Sequence, residues 1–144
     1  MTNEKEAFIA EKTLAVVGVS RTQGFGNTLF RHLKRRGYRV FAVNRLAENI
    51  EGEACYRRLD DLPERVGGVV TVVPPAETEK IVDDCVRLGI ARLWMQQGSE
   101  SKAAIARCQE KGIVEVHGAC LLMHTGAPFP HSAHRWLWKA LGKY

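Results

Sequence analysis

The sequence predicts an α/β fold: a doubly wound parallel sheet of about five strands, flanked by helices, in a single domain. Three observations carry that expectation. Apolar runs at Leu14 to Val19, Val40 to Val43, Val69 to Val73, Leu93 to Met95 and Ile113 to Val116 alternate with longer segments of helical period. Glycines at 37, 89 and 112 close those helical segments. The runs are short and apolar without strict alternation, which suits strands buried on both faces of a parallel sheet.

The elements follow in order. The first strand, Thr13 to Val17, leads to a helix from about Gly26 to Arg36 that sets Leu29, Phe30 and Leu33 on one face. After the second strand, Asn44 to Leu62 has no sustained period and reads as a crossover, with a turn or short helix at Leu59 to Pro63. Pro74 and Pro75 stop the third strand, and Ala76 to Leu88 carries Ile81, Val82, Cys85 and Val86 at helical spacing. The fourth strand passes through Gln96, Gln97 and Gly98 into a helix ending at Lys111, with Ser99 as the expected N-cap. Residues 1–12 are an N-terminal segment or helix, 13–124 the domain proper, and 125–144 a C-terminal loop and helix packed on the same domain.

With 144 residues the chain can bury a core without disulfides or a structural metal. No apolar run approaches the roughly 20 residues that span a bilayer, so no membrane insertion is expected. Met1 to Lys12 carries Glu4, Glu6 and Glu11 and lacks the basic start and long apolar stretch of a signal peptide, which points to the cytoplasm. Cys55, Cys85, Cys108 and Cys120 form no C-x-x-C pair, so free thiols are expected. A net charge of +5 favours anionic ligands, but the basic residues are scattered, apart from Lys34 to Arg36, Arg57-Arg58 and the C-terminal lysines. That pattern does not read as a nucleic-acid surface.

Chemistry concentrates in the stretch from Gly18 to Asn27, where strand, glycine-bearing turn and helix follow one another. Glycine lets the backbone approach a ligand closely, and the unpaired N–H groups of a helix's first turn attract phosphate. Gly18, Gly24 and Gly26 do not follow the G-x-G-x-x-G dinucleotide fingerprint, so the turn is longer and leaves Ser20, Arg21, Thr22 and Gln23 free to contact a ligand. In a doubly wound sheet the ligand lies beyond the C-terminal strand edge at the order reversal. That edge gathers Gly18 to Asn27, Asn44-Arg45, Pro74-Pro75 and Gln96 to Gly98.

Taken together, the glycine loop from Gly18 to Asn27, the Val43-Asn44-Arg45 end of the second strand with Ile50 to Pro63 after it, the Val72 to Pro75 turn and the Leu93 to Ser101 stretch resemble the small CoA-binding protein family. That family is similar to the CoA-binding N-terminal domain of the succinyl-CoA synthetase alpha subunit, and the resemblance spans about Thr13 to Met123. It implies a Rossmann-like domain over 13–124 whose ligand is CoA or an acyl-CoA. It further implies that Gly18 and the segment Ser20, Arg21, Thr22, Gln23, Gly24, Phe25 and Gly26 cradle the CoA phosphates. Asn44 and Arg45 would lie near the adenosine end, and Pro74, Pro75, Gln96, Gln97 and Gly98 along the pantetheine side. Arg45 stands where the family commonly has proline. The phosphorylated histidine of succinyl-CoA synthetase belongs to another domain and has no counterpart to carry over.

Arg45 has its own physical reading. An NAD site needs an acid at the end of the second strand to bind the ribose hydroxyl, and Asn44-Arg45 supplies none. A guanidinium suits either the 3′-phosphate of CoA or the 2′-phosphate of NADP, and equally a solvated loop. The alternative function is therefore an NADP-binding oxidoreductase or nicotinamide-sensing module. No nucleophile elbow, Walker loop or kinase set is present, so no catalytic residue is assigned and a binding protein is expected. His117, Cys120, His124, His131 and His134 cluster near the C-terminus without an established zinc spacing, and no metal ligand is assigned. Packing of Cys120 to Met123 under the sheet is the expected arrangement; a mixed disulfide between Cys120 and a CoA thiol is the redox alternative. Trp136 and Trp138 point to opposite sides of a helix, which leaves homo-oligomerisation open.

Overall fold

The computed structural model describes residues 4–20, 24–46, 49–50 and 52–125. Its elements are α1 (Glu4–Ile9), β1 (Thr13–Val17), α2 (Phe25–Arg35), β2 (Arg39–Val43), β3 (Asn49–Ile50), β4 (Glu53–Tyr56), a single 3-10 turn at Leu59–Asp61, β5 (Gly68–Thr71), α3 (Pro75–Leu88), β6 (Arg92–Met95), α4 (Lys102–Lys111), β7 (Val114–Val116) and α5 (Leu121–His124). The strands form one sheet in the order β3-β4-β2-β1-β5-β6-β7. Only the β3–β4 pair is antiparallel. This is the α/β, doubly wound, Rossmann-like arrangement expected from the sequence.

Alternation along each strand divides the core between the two faces. Leu14 and Val16 of β1, Val70 of β5 and Trp94 of β6 meet Leu29, Phe30 and Leu33 of α2 with Leu121 and Leu122 of α5. Ala15, Val69, Leu93 and Met95 meet Ile81, Val82 and Cys85 of α3 with Ala104 and Cys108 of α4. Phe8 of α1 closes the first layer, packing edge-on to Trp94 with ring centroids 5.4 Å apart. The helices close as expected: Gly89 and Gly112 cap α3 and α4 in the left-handed conformation.

Three local expectations change. The sheet has two more short strands than the expected five, because the crossover after β2 contains the β3–β4 hairpin. Strands of two and four residues are too short to display a period. Ser99 is not the N-cap of α4; Ser101 is, its hydroxyl accepting from the Ala104 N–H at 3.0 Å. Ser99 is instead buried beside β5, its Oγ 2.9 Å from Thr71 Oγ1 and 3.0 Å from the Thr71 carbonyl oxygen. Val86 leaves the apolar stripe of α3 and is exposed.

At the C-terminus Cys120, Leu121 and Leu122 are buried against the sheet. His117 pairs with Glu115, Nδ1 to Oε2 2.8 Å, and the His124 ring lies 5.8 Å from that of Trp94. Among the described residues no group of three histidine, cysteine or acidic side chains could hold a metal ion. His131, His134, Trp136 and Trp138 lie outside the described residues. No helix among the described residues is long and apolar enough to cross a membrane.

Candidate functional site

Strand β1 has β2 on one side and β5 on the other, so the chain winds away from it in both directions. Loops leaving the C-terminal ends of such neighbours diverge and leave a crevice. Here the crevice is a cleft of about 450 Å³. Val17 and Gly18 enter it from β1, Val43 and Asn44 from β2, and Val73 and Pro74 from the end of β5, with Ile81 of α3 behind them. Its floor is apolar and its rim is charged, with Arg45, Arg57, Arg58 and Lys80 facing Glu77 and Asp84.

Close packing explains two of the loop's glycines. Gly18 has φ 118, and a Cβ there would sit 2.2 Å from the Val72 carbonyl oxygen. A Cβ on Gly26 would sit 2.4 Å from the Gly18 carbonyl oxygen. Gly24 differs: its backbone is fully extended, and among the described residues a Cβ would meet nothing closer than 3.8 Å. Neither its backbone conformation nor a described neighbour demands glycine at 24.

Two asparagines hold the loop in place. Asn27 is buried in the first turn of α2; its Oδ1 accepts from the Ser20 N–H and its Nδ2 donates to the Ser20 carbonyl, both at 2.8 Å. Asn44 donates from Nδ2 to the Val19 carbonyl at 2.7 Å and accepts at Oδ1 from the Leu46 N–H at 2.7 Å. The loop after β1 is thus tied to its own helix and to the end of β2. Asn27 was missed as a candidate residue, although an asparagine on the apolar face of the first helix was a legible signal.

The N-terminus of α2 opens beside this loop. Its N-cap is Gly24, which has no side chain to offer the free N–H groups, and its first turn has no acidic residue. Such a terminus carries partial positive charge and unsatisfied N–H groups, the ordinary requirements for an anion. Around the cleft, Arg45 Nη2 and Lys80 Nζ each lie 3.7 Å from Glu77 Oε1. Arg58 Nε lies 3.9 Å from Asp61 Oδ2. These pairs are long and exposed, so they hold their cations only weakly against a competing phosphate. Behind the cleft, burial pushes the Cys55 thiol up, with a smaller opposing effect from the Asn44 backbone.

Of the residues singled out in the sequence, Gly18, Asn44, Arg45 and Pro74 line the one cleft. Ser20, Gly24, Phe25 and Gly26 form the loop and helix start beside it, and Pro75 is the first residue of α3. Arg21, Thr22 and Gln23 lie outside the described residues. Gln96, Gln97 and Gly98 do not line the cleft; they stand farther along the sheet edge, after β6. There Gln96 Oε1 accepts from the Leu121 N–H at 3.1 Å, and the Gly98 N–H donates to Glu100 Oε1 at 2.8 Å. Gln96 Nε2 and Gln97 Oε1 are buried polar atoms with no hydrogen-bond partner among the described residues. Arg57, Arg58 and Lys80 complete the rim and were not among the candidate residues; the Arg57-Arg58 doublet was the available clue.

Comparison with known proteins shows the family and the fold. Residues 12–126 match the family described as CoA binding domain. An ADP-forming acetate–CoA ligase I from Archaeoglobus fulgidus is 31% identical over 113 residues, covering 77% of this chain and 16% of the ligase. The alpha subunit of ADP-forming acetate–CoA ligase II from Pyrococcus furiosus is 26% identical over 117 residues, covering 76% of this chain and 24% of the subunit. The chain spans less than a quarter of the length of these curated relatives. Among solved structures, a conserved hypothetical protein from Pyrococcus furiosus superposes with a TM-score of 0.75 at 32% identity, over 79% of this chain and 99% of that one. A dinucleotide forming acetyl-coenzyme A synthetase 1 from Ca. Korarchaeum cryptofilum, in complex with phosphate and ADP, gives a TM-score of 0.67 at 25% identity, over 79% of this chain and 27% of that one.

Proposed function

We propose that this chain, which belongs to the family of CoA binding domains, binds CoA or an acyl-CoA along the C-terminal edge of its sheet. The observation that carries the reading is the cleft at the β1 switch point, whose Gly18 wall continues into the loop that ends at the glycine N-cap of α2. Adenosine occupies the apolar floor between β2 and α3. The phosphates lie on the loop of Gly18, Ser20, Arg21, Thr22, Gln23, Gly24, Phe25 and Gly26, facing the first-turn N–H groups of α2. Arg45 takes the 3′-phosphate at the rim, with Arg57, Arg58 and Lys80 adding to the positive field. The pantetheine arm then runs past Pro74 and Pro75 towards Gln96, Gln97 and Gly98.

The role is recognition. The matched part of the ligases is a small fraction of each, so their ligase chemistry is not carried over with it, and no residue of this chain is assigned a catalytic step. A cytoplasmic setting fits the four buried free thiols at Cys55, Cys85, Cys108 and Cys120.

Calorimetric titration of untagged, ligand-stripped protein with CoA, 3′-dephospho-CoA and NADP tests the reading. Binding of CoA that weakens on removing the 3′-phosphate is expected. Selective binding of NADP would replace the reading with a nicotinamide site, and failure to bind CoA would refute it.

A further inference from the structure

Cys120 stands at the far end of the sheet edge that holds the cleft. It follows β7, immediately precedes α5, and is 9% exposed. The other described cysteines are poorly suited to exchange: Cys55 lies on β4, beyond β2 and β1 from the edge that leads to Cys120, and burial pushes its thiol up. Burial pushes the Cys85 thiol up to about 12 and the Cys108 thiol up to about 11, and both lie in the opposite layer, with α3 and α4.

A second observation at the same place points to a ligand. Gln96 is 1% exposed, and its Oε1 accepts from the N–H of Leu121, the residue after Cys120. The other end of that amide, Nε2, is therefore also held at the start of α5, where it is buried and has no partner among the described residues. An unpaired buried donor costs about 1–3 kcal/mol, a cost that disappears when a carbonyl arrives to accept from it. The two amides of a pantetheine arm supply such carbonyls next to a thiol terminus.

The span also fits. From β1, whose loop is assigned the phosphates, to β7 is three strand spacings through β5 and β6. Three spacings amount to about 14 Å, which an extended pantetheine arm covers. Resting on the CoA reading above, we propose that Cys120 is a covalent modification site where the protein takes up CoA by exchange with CoA disulfide. The Cys120 thiolate attacks one sulfur of the CoA disulfide; the Cys120–CoA disulfide bond forms as the original S–S bond breaks. One CoA departs as thiolate and takes a proton from solvent, matching the proton that Cys120 released. The oxidation equivalent passes from the CoA disulfide to the protein, and no further oxidant is consumed.

The test treats the full chain with CoA disulfide and, separately, with glutathione disulfide. Intact mass and peptide mapping report adducts, while calorimetry under reducing conditions reports binding of CoA on the same preparations. The expected result is one CoA adduct, removed by dithiothreitol, mapped to Cys120 and formed at least about tenfold faster than the glutathione adduct, because binding of CoA disulfide raises the disulfide's local concentration at Cys120. Cys120→Ser and Cys120→Ala lose the adduct and still bind reduced CoA, whereas Cys55→Ser keeps it. Mapping on the native chain decides the site even where a variant fails to fold. Binding of reduced CoA without an adduct, an adduct on another cysteine, or equal reaction with glutathione disulfide overturns the proposal and leaves the CoA reading standing. Absence of both binding and adduct overturns both.

Discussion

Asn27 and Ser20 exchange two hydrogen bonds: the side-chain amide of Asn27 pairs with both the N–H and the carbonyl of Ser20, each at 2.8 Å. A side chain seven residues away thereby does for the loop what a neighbouring strand does for a strand. Asn27→Leu keeps the volume and removes both bonds, leaving two backbone groups part-buried without that partner. The expected loss is about 2–3 kcal/mol, read as a lower denaturation midpoint at unchanged slope. CoA affinity falls with it, because the loop no longer holds its shape.

Glycines 18, 24 and 26 separate fold from ligand. Gly18→Ala and Gly26→Ala drive a methyl into backbone carbonyls at 2.2 and 2.4 Å and should destabilise the chain itself. Gly24→Val meets no described neighbour at its Cβ closer than 3.8 Å and should cost no more than about 1 kcal/mol, the ordinary preference at an N-cap. Its side chain stands at the mouth of α2, so CoA binding should weaken by at least about tenfold, the equivalent of 1.4 kcal/mol. A folded Gly24→Val chain with unchanged affinity would remove the phosphates from this loop.

Arg45 is more than two-thirds exposed and only 3.7 Å from Glu77, so its role in stability is small. Arg45→Ala should leave the unfolding midpoint within about 0.5 kcal/mol of the parent. It should weaken CoA by roughly tenfold and 3′-dephospho-CoA far less, as expected for a charge-assisted contact with the terminal phosphate. Equal losses for the two ligands would move the phosphate contact to Arg57, Arg58 or Lys80.

His32 gives the fold a pH dependence. It is buried in α2 with Nε2 2.7 Å from Thr125 Oγ1, and burial first, then Arg35 and Arg36, lowers its pKa below the usual 6.5. The unfolded chain takes up a proton near 6.5 that the folded chain resists until lower pH. The stability that neutral His32 contributes is complete above 6.5, declines as pH falls through the window below it, and is gone once pH passes the folded value. Urea midpoints measured from pH 7.5 down to 5 should show this decline, and His32→Gln should flatten it.

The sequence was most informative where one element made one demand. The apolar runs at β1, β2, β5 and β6 and the glycines after α3 and α4 were legible because each reflects a local rule of burial or handedness. The β3–β4 hairpin was not, since two and four residues hold too little pattern to separate from a loop. Ser99 reads as an N-cap from its residue type alone, and β5 overrides that reading: Thr71 engages Ser99, and Ser101 caps α4 through Ala104. Likewise Gly18, Asn44, Arg45 and Pro74 were visible as strand ends, whereas Lys80 reaches the same cleft from the second turn of a helix and carries no mark of it in the sequence.

The sheet ends in very short strands, two residues in β3 and three in β7. Described strands that short present few open backbone groups to template another chain, which makes both margins poor places to add a neighbour's strand. Copies of this molecule that meet are therefore expected to do so through side chains on helices and loops. Contacts of that kind can be tuned by single substitutions without disturbing the central strands that position the cleft.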